Sequence, residues 1–289
     1  MGGQNAVLPC EYFVTDWLDE EIDDYFLSAA KYSAQEKIKL FVDMLLALEA
    51  LHSYEVFHRD LKADNLRACQ KAVRRVVVAI DMGAAARFES GCIQSHYGAP
   101  VGAIGYAAPE STCGMAANRL LAPATDYFAL GCLLYELFNA DYFYHVTRYL
   151  NANFDVRLTA MQSEVLGISG DQAQVDAWKR TLAKFSAGVI EVPIDGIGST
   201  VPRGVAGILN EVLAVLTNID YRKRYSCGKW VRAKLGSALK VIENEALYQR
   251  QLSLSRERRR KKILAIAAKR DRLVNFLESR GGNGNSQVT

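Results

Sequence analysis

Cysteine, proline and long apolar runs are scarce in this 289-residue chain, and each scarcity excludes a class of protein. The six cysteines form no CxxC pair and do not cluster with the four histidines, which argues against a zinc site or a disulfide framework and fits a reducing, cytoplasmic compartment. No run approaches the roughly 18 apolar residues of a membrane span, so we expect no transmembrane segment. The start, MGGQNA, lacks the basic and apolar segments of a secretion signal.

The composition that remains is that of a globular protein with an uneven charge distribution. Half of the residues are apolar, and the formal net charge is only +3. From Arg250 onward, however, eleven Lys/Arg and three Asp/Glu give a net charge of +8, and the rest of the chain carries −5. The densest basic block is RERRRKK at 256–262. It is typical either of the solvated face of a helix or of a contact with an acidic surface.

Hydrophobic periodicity predicts a mainly helical chain. Apolar residues at spacings of three and four predict helices at 16–30 and 34–54, and Ser33 with Glu36 predicts a capping box before the second of these. The run VVVAI (76–80) predicts a buried strand, and the segment rich in small residues at 84–124 predicts a long, partly mobile loop. A central, buried helix that is apolar on nearly every face is expected at 126–138, and further helices are expected at 141–152, 171–186, 203–217 and 227–247.

The segment HRDLKADNL (58–66) contains the groups that phosphoryl transfer from ATP needs. Asp60 can accept the proton of a substrate hydroxyl, and Lys62 can neutralise the transferred phosphate. Asn65 offers an amide oxygen to a hard cation such as Mg²⁺. Asp81, directly after the predicted strand, offers the carboxylate that would bridge the cation to the phosphates.

Together these residues resemble the catalytic motifs of the eukaryotic-type protein kinase family. Asp81-Met82-Gly83 resembles the DFG motif, Ala108-Pro109-Glu110 matches APE, and Lys62 resembles the serine/threonine-specific form of the catalytic loop. The resemblance implies a mainly α fold of the α+β family: a kinase-like C-lobe with short β pieces around the catalytic loop, followed by a C-terminal helix. It also implies ATP and Mg²⁺ as cofactors and Ser/Thr-containing proteins as substrates.

The resemblance assigns further roles around the catalytic loop. Arg59 would assist catalysis and pair with a phosphorylated activation segment, in which Ser90, Ser95 and Tyr97 are candidate phosphosites. The remaining assignments are structural: His58 belongs to the loop itself, Asp126 would brace the backbone of the loop, and Arg224 would pair with Glu110.

The sequence also departs from the family pattern. A hinge-like segment lies at 7–13, and neither a GxGxxG loop nor a VAIK-like lysine precedes it, so we expect the N-lobe to be missing and a partner chain to supply or cover its place. Arg67 stands where an apolar residue usually lies beneath adenine, and Ala103 stands where a threonine usually contacts the catalytic aspartate. The domains expected are a strand remnant (1–14), a C-lobe (15–247) and a basic helical tail ending in disorder (248–289).

Three functions follow from this pattern. The first is a Ser/Thr protein kinase whose activity as an isolated chain is open because the N-lobe is absent. The second is a pseudokinase-like scaffold or binding module that uses the helical surface. The third is a protein that binds anionic surfaces through its basic tail.

Overall fold

The computed structural model describes most of the chain and confirms the mainly helical fold with short strands. The described residues are 18, 20–28, 31–71, 74–87, 102–185, 192–194, 201–224 and 227–281. The strand remnant expected at 1–14, the hinge-like segment at 7–13, the candidate phosphosites and residues 282–289 lie outside these ranges.

Nine helices occur in the described part of the chain, and five of the helices predicted from periodicity correspond to them closely. The helices are α1 (Asp24–Leu27), α2 (Ala34–Ser53), α3 (Ala122–Asn139), α4 (Phe143–Leu150), α5 (Phe154–Val165), α6 (Asp171–Phe185), α7 (Arg203–Leu216), α8 (Tyr221–Arg224) and α9 (Gly228–Gly281). Helices α5 and α8 were not predicted, and α9 continues well beyond the predicted end at 247.

Helix α2 begins with the predicted capping box. The Ser33 hydroxyl accepts a hydrogen bond from the Glu36 amide (3.3 Å), and the Glu36 carboxylate accepts one from the Ser33 amide (2.8 Å). The apolar face of the helix, which includes Ile38, Phe41 and Leu45, is fully buried. The capping box and the apolar periodicity therefore both stabilise this helix, as the sequence indicates.

Two small antiparallel sheets flank the loop at 58–65. Strands β1 (Glu20–Glu21), β3 (Leu66–Lys71) and β4 (Arg74–Ala79) form one sheet in the order β1-β3-β4, and β2 (Val56–Phe57) pairs with β5 (Ala86–Arg87) in the other. The strand predicted at 76–80 is thus confirmed within β4.

The prediction of a helix at 16–30 is wrong for most of the residues of this range that the structure describes. Only α1 is helical there, because Glu20 and Glu21 pair instead with Ala68 and Arg67 of β3. This long-range pairing overrides the local helical pattern.

The described part of the loop predicted at 84–124, residues 84–87 and 102–124, contains more regular structure than expected. It contains β5, a short 3₁₀ helix at Ile104–Tyr106, a π-helical turn at Ser111–Met115 and the beginning of α3.

Helix α3 runs through the centre of the core. All of its residues except Pro123 and Asn139 are buried, which confirms the central helix predicted from its apolar faces. At Gly131 an added Cβ would lie 2.7 Å from Thr217 Cγ2 and 2.8 Å from Leu216 Cβ. Glycine at this position therefore allows α3 and α7 to pack closely. A second core cluster, around the fully buried Trp178, joins α5 and α6 to the π-helical turn.

The chain divides into two compact units, Met1–Ala238 and Leu239–Thr289. The first unit contains both sheets and helices α1–α8. The described residues of the second, 239–281, are helical, and most of their side chains are exposed. No helix within the described ranges is long and apolar enough to cross a membrane.

Candidate active site

The buried carboxylate of Asp126 holds the backbone of the loop that starts at His58. Its Oδ1 accepts a hydrogen bond from the Arg59 amide (2.7 Å), and its Oδ2 accepts one from the His58 amide (2.8 Å). The Nε2 atom of His52, on α2, lies 2.9 Å from the same Oδ2. These contacts hold Arg59 in the left-handed region, with φ at 63°, a conformation that costs energy in a non-glycine residue.

The His58 side chain joins this loop to the end of β4. Its Nε2 donates to the carbonyl oxygen of Ile80 (2.9 Å), and its Nδ1 lies 3.4 Å from the Asp60 amide nitrogen. A neutral imidazole that donates from Nε2 can accept at Nδ1, so both contacts fit one tautomer. Because Ile80 directly precedes Asp81, the two predicted acidic site residues are tied together through a buried histidine.

The Asp60 carboxylate is held at both oxygens. Oδ1 accepts a hydrogen bond from the main-chain amide of Ala103 (2.7 Å), and Oδ2 accepts one from Asn65 Nδ2 (3.2 Å). Asn65 Nδ2 also donates to the Asp60 carbonyl oxygen (2.8 Å). The alanine at position 103 lacks the hydroxyl expected there from the family resemblance, but its amide makes direct contact with the carboxylate.

Gly102 makes the contact between Ala103 and Asp60 possible. Its φ is +85°, which favours glycine, and an added Cβ would lie 2.4 Å from the Arg59 carbonyl oxygen. A side chain at this position would push the segment away from the loop. The close approach of the two backbones therefore depends on glycine here.

Asn65 and Asp81 lie at adjoining ends of β3 and β4. Leu66 pairs with Ala79, and the Asn65 carbonyl oxygen accepts a hydrogen bond from the Ile80 amide (2.9 Å), so Asp81 follows directly. Both hydrogen bonds of the Asn65 side chain described above use its nitrogen, which leaves its amide oxygen for a cation. The exposed Asp81 carboxylate accepts a long hydrogen bond from the Gly83 amide (3.4 Å).

The oxygen donors of Asn65 and Asp81 fit Mg²⁺ better than they fit a metal ion whose ligands all come from the protein. No group of three or more His, Cys, Asp or Glu residues suited to a metal occurs in the described ranges. Mg²⁺ is commonly held by one or two protein oxygens together with water and substrate phosphates. Asn65 and Asp81 would therefore supply part of the coordination of a Mg²⁺ ion, and water and phosphate oxygens would supply the rest.

Lys62 lines a cavity of about 410 Å³ beside the loop. Its Nζ lies 3.9 Å from Asp64 Oδ2, which is a loose ion pair. The remaining charged groups of the wall are carboxylates, and the other lining residues are mainly apolar. The lining residues are Asp23, Phe26, Leu27, Lys62, Ala63, Asp64, Ala103, Tyr106, Glu136, Ala140, Asp141 and Tyr142. With Asp23, Asp64 and Asp141 facing a single lysine, the cavity favours a positively charged occupant.

Glu136 is a buried acidic residue in this wall that sequence reasoning missed. It is buried in α3, its Oε2 accepts a hydrogen bond from the Tyr106 hydroxyl (2.7 Å), and its Oε1 has no hydrogen-bond partner among the described residues. Burial raises the pKa of Glu136 to about 7, and the nearby Asp141 also raises it, against a lowering by the Tyr106 hydrogen bond. The available signal was a single glutamate inside an otherwise apolar helical run.

Glu110 and Arg224 form a fully buried ion pair. The guanidinium also donates to the Asn218 carbonyl oxygen (2.7 Å), and its central carbon lies 5.2 Å from the centre of the Phe128 ring. The structure thus brings together the two residues that the sequence analysis pairs. The contact ties the segment after the activation region to α8.

The Arg59 side chain contacts main-chain carbonyl groups. Its Nε donates to the Ala84 carbonyl oxygen (2.8 Å), and its Nη1 donates to the Ala116 carbonyl oxygen (3.2 Å). It therefore links the loop to the segment that follows Asp81. Arg67, the other unusual arginine, folds back on its own strand and donates to the carbonyl oxygens of Asp64 (2.9 Å) and Leu66 (3.0 Å).

Comparison with known proteins gives a consistent result. The family model for the protein kinase domain matches residues 3–234. A serine/threonine-protein kinase of Schizosaccharomyces pombe, ppk6, is 28% identical over 148 residues, which are 50% of this chain and 18% of that protein. The probable serine/threonine-protein kinase 2 of Plasmodium falciparum is 33% identical over 128 residues, 44% of this chain and 23% of the relative.

A third relative combines two activities in its name. The serine/threonine-protein kinase/endoribonuclease IRE1 of Oryza sativa subsp. japonica is 27% identical over 155 residues, 51% of this chain and 17% of that protein. The matches to these three relatives cover less than a quarter of each relative's length, and they cover about half of this chain. The family model extends over most of the chain, including all the site residues described above. The chain therefore belongs to the protein kinase domain family.

Proposed function

We propose that the chain is a serine/threonine protein kinase that transfers the terminal phosphoryl group of ATP to protein hydroxyl groups. The observation that carries this proposal is the Asp60 carboxylate, which is held between the Ala103 amide and the Asn65 side chain. A carboxylate fixed in this way is suited to orient an acceptor hydroxyl and to receive its proton.

The cofactors of this reaction would be ATP and Mg²⁺, which supply the transferable phosphoryl group and neutralise its charge. Asn65 and Asp81 would hold the cation through an amide oxygen and a carboxylate, and Lys62 would face the phosphoryl group. The other predicted residues would act through these groups. His58 and Asp126 would hold the loop in place, and Arg59 would link it to the segment after Asp81.

The acidic cavity beside the loop supports a protein substrate with basic residues near the acceptor. Asp64, Glu136 and Asp141 line it together with Lys62, which would lie near the reacting groups. We expect serine and threonine peptides that carry Arg or Lys to be preferred over neutral or acidic ones. The lysine at position 62 favours serine and threonine over tyrosine, as its resemblance to the serine/threonine form of the loop implies.

A phosphate-covering element is the further partner that this proposal requires. No GxGxxG segment occurs within the 289 residues. We propose that a second polypeptide or an additional segment supplies this element and covers the nucleotide. Transfer would then be faster in the presence of the covering element than with the 289-residue chain by itself.

The proposal is tested by exposing the chain to Mg²⁺–ATP and a degenerate peptide library with Ser, Thr or Tyr as acceptor. We expect phosphate on Ser and Thr peptides and weakened Mg²⁺–ATP binding in Asp81→Asn, measured by calorimetry. Asp176→Asn, which removes an exposed carboxylate from α6, is the matched control and should leave both unchanged. A wild-type chain that neither binds Mg²⁺–ATP nor labels any peptide, with or without added kinase N-lobe segments, would favour the scaffold function instead.

A further inference from the structure

The second unit of the chain contains a dense cluster of exposed cations, which we call the basic cluster. It comprises Arg256, Arg258, Arg259, Arg260, Lys261 and Lys262, all exposed on the helix. The only acidic residue within it is Glu257, whose carboxylate lies 2.9 Å from Lys261 Nζ. An exposed i,i+4 pair of this kind contributes little to stability and cancels only one charge of the cluster.

An exposed apolar face follows the basic cluster directly. At 3.6 residues per turn its members fall within a sector of about 120° around the helix. They are Ile263, Ile266, Ala267, Leu273, Val274 and Leu277, and the five larger side chains are between 40% and 66% exposed. Leu264 and Phe276 lie outside this sector, and Arg270 is the one charged residue within it.

A second copy of the chain is a poor occupant for this face. The apolar sector spans only residues 263–277, about two heptads, whereas a coiled coil generally needs three or four. If the apolar sector is extended toward the N-terminus of the helix, it contains Arg256 and Arg259. In a parallel pair of these helices, each arginine would repel its counterpart in the other copy. The charge pattern therefore opposes extension of a helical seam.

An anionic lipid surface fits both features at once. Helices that lie at membrane surfaces combine an apolar face, which enters the acyl boundary, with Lys and Arg near the headgroups. Clustered cations add electrostatic attraction to anionic lipids. Arg270, within the apolar sector, has a stem long enough to bring its guanidinium back to the headgroups. A nucleic acid or an acidic protein would match the basic cluster but leave the apolar face unused.

We propose that residues 256–277 bind the surface of membranes that contain anionic phospholipids, with the apolar face inserted and the basic cluster at the headgroups. None of these residues belongs to the candidate active site, and the proposed binding does not depend on phosphoryl transfer. It would concentrate the kinase domain at a membrane surface.

The experiment is cosedimentation of the full chain with vesicles of phosphatidylcholine, with and without phosphatidylserine. We expect binding that requires phosphatidylserine, decreases as salt rises, and falls at least about tenfold in Ile266→Glu/Leu273→Glu. The matched control is Ala268→Glu/Asn275→Glu, which adds the same two charges on the opposite side of the helix. This control variant should bind the vesicles with a smaller loss of affinity, because its two added charges weaken only the electrostatic attraction to the anionic lipids.

Three results would overturn the proposal. Equal losses in the two double variants would mean that the apolar face does not insert. Equal binding to vesicles with and without phosphatidylserine would remove the role of the basic cluster. Concentration-dependent dimerisation without lipid, abolished by Ile266→Glu/Leu273→Glu and not by the control, would identify a second copy as the occupant. Circular dichroism of both variants verifies that the helix persists, so that a loss of binding reports on the face.

Discussion

Replacing Glu136 with glutamine should remove a pH dependence of stability that the buried carboxyl group imposes. Burial raises the pKa of Glu136 from 4.5 to about 7 in the folded chain. Between these two pH values the folded state binds more protons at this group than the unfolded state does. The contribution of Glu136 to stability is therefore full below about pH 4.5 and is lost as the pH rises through about 7.

The size of this effect follows from the two pKa values. A factor of ten in proton affinity corresponds to about 1.4 kcal/mol, so the difference between 4.5 and about 7 amounts to about 3 kcal/mol. Glutamine is uncharged at every pH, can keep the hydrogen bond from Tyr106, and places an amide nitrogen where one carboxyl oxygen has no partner. Glu136→Gln should thus gain about 3 kcal/mol relative to wild type on going from about pH 4.5 to pH 8.

The assay is urea unfolding of both proteins across this pH range, with the difference in free energy of unfolding plotted against pH. Taking the difference cancels the titration of all other groups. Glu164→Gln, which removes a carboxylate outside the core on α5, is the control. A flat difference for Glu136→Gln, or one that falls as the pH rises, would refute the reasoning about its burial.

Three further predictions concern glycines and the buried ion pair. Gly102→Ala should lower the phosphoryl-transfer rate of the folded protein about tenfold or more, because the added Cβ displaces the Ala103 amide, which holds the Asp60 carboxylate. Gly114→Ala, at a glycine with a similar φ and open space around it, should leave the rate unchanged. Gly131→Ala should cost about 1–3 kcal/mol in unfolding free energy through overpacking, whereas Gly207→Ala, with no atom within 4 Å of its Cβ, should stabilise α7 slightly. Arg224→Met should cost about 3–5 kcal/mol in the same assay, because it leaves a buried carboxylate uncompensated. Equal transfer rates for Gly102→Ala and Gly114→Ala, equal stability changes for Gly131→Ala and Gly207→Ala, or unchanged stability in Arg224→Met would contradict these expectations.

The sequence predicts those elements whose structure is determined locally. Helix α2 follows from its apolar periodicity and from the reciprocal hydrogen bonds of Ser33 and Glu36. Helix α3 follows from a run that is apolar on every face. Where a distant partner decides the structure, prediction fails: Glu20 and Glu21 join a sheet because β3 lies beside them, and no local pattern shows this.

The candidate site is predictable in its residue types and only partly in its contacts. The motifs identify Asp60, Asn65 and Asp81, and the structure places these residues around one loop and the adjoining strand ends. The sequence does not show that the main-chain amide of Ala103 contacts Asp60, since every residue except proline has a main-chain N–H group. Glu136 is not predicted from the sequence either, because it belongs to no motif and is distinguished only by its burial beside the cavity.

The most direct test of the kinase function compares the wild-type chain with Asp60→Asn in transfer of labelled phosphate from Mg²⁺–ATP to a serine peptide with basic flanking residues. Asparagine retains the shape of the side chain and can still accept the hydrogen bond from Ala103, but it is a far weaker base. We predict that phosphate incorporation falls about a hundredfold or more while Mg²⁺–ATP binding is unchanged. Equal incorporation by the two proteins, or none by wild type in the presence of a covering N-lobe, would contradict the assignment of Asp60 as the base of a protein kinase.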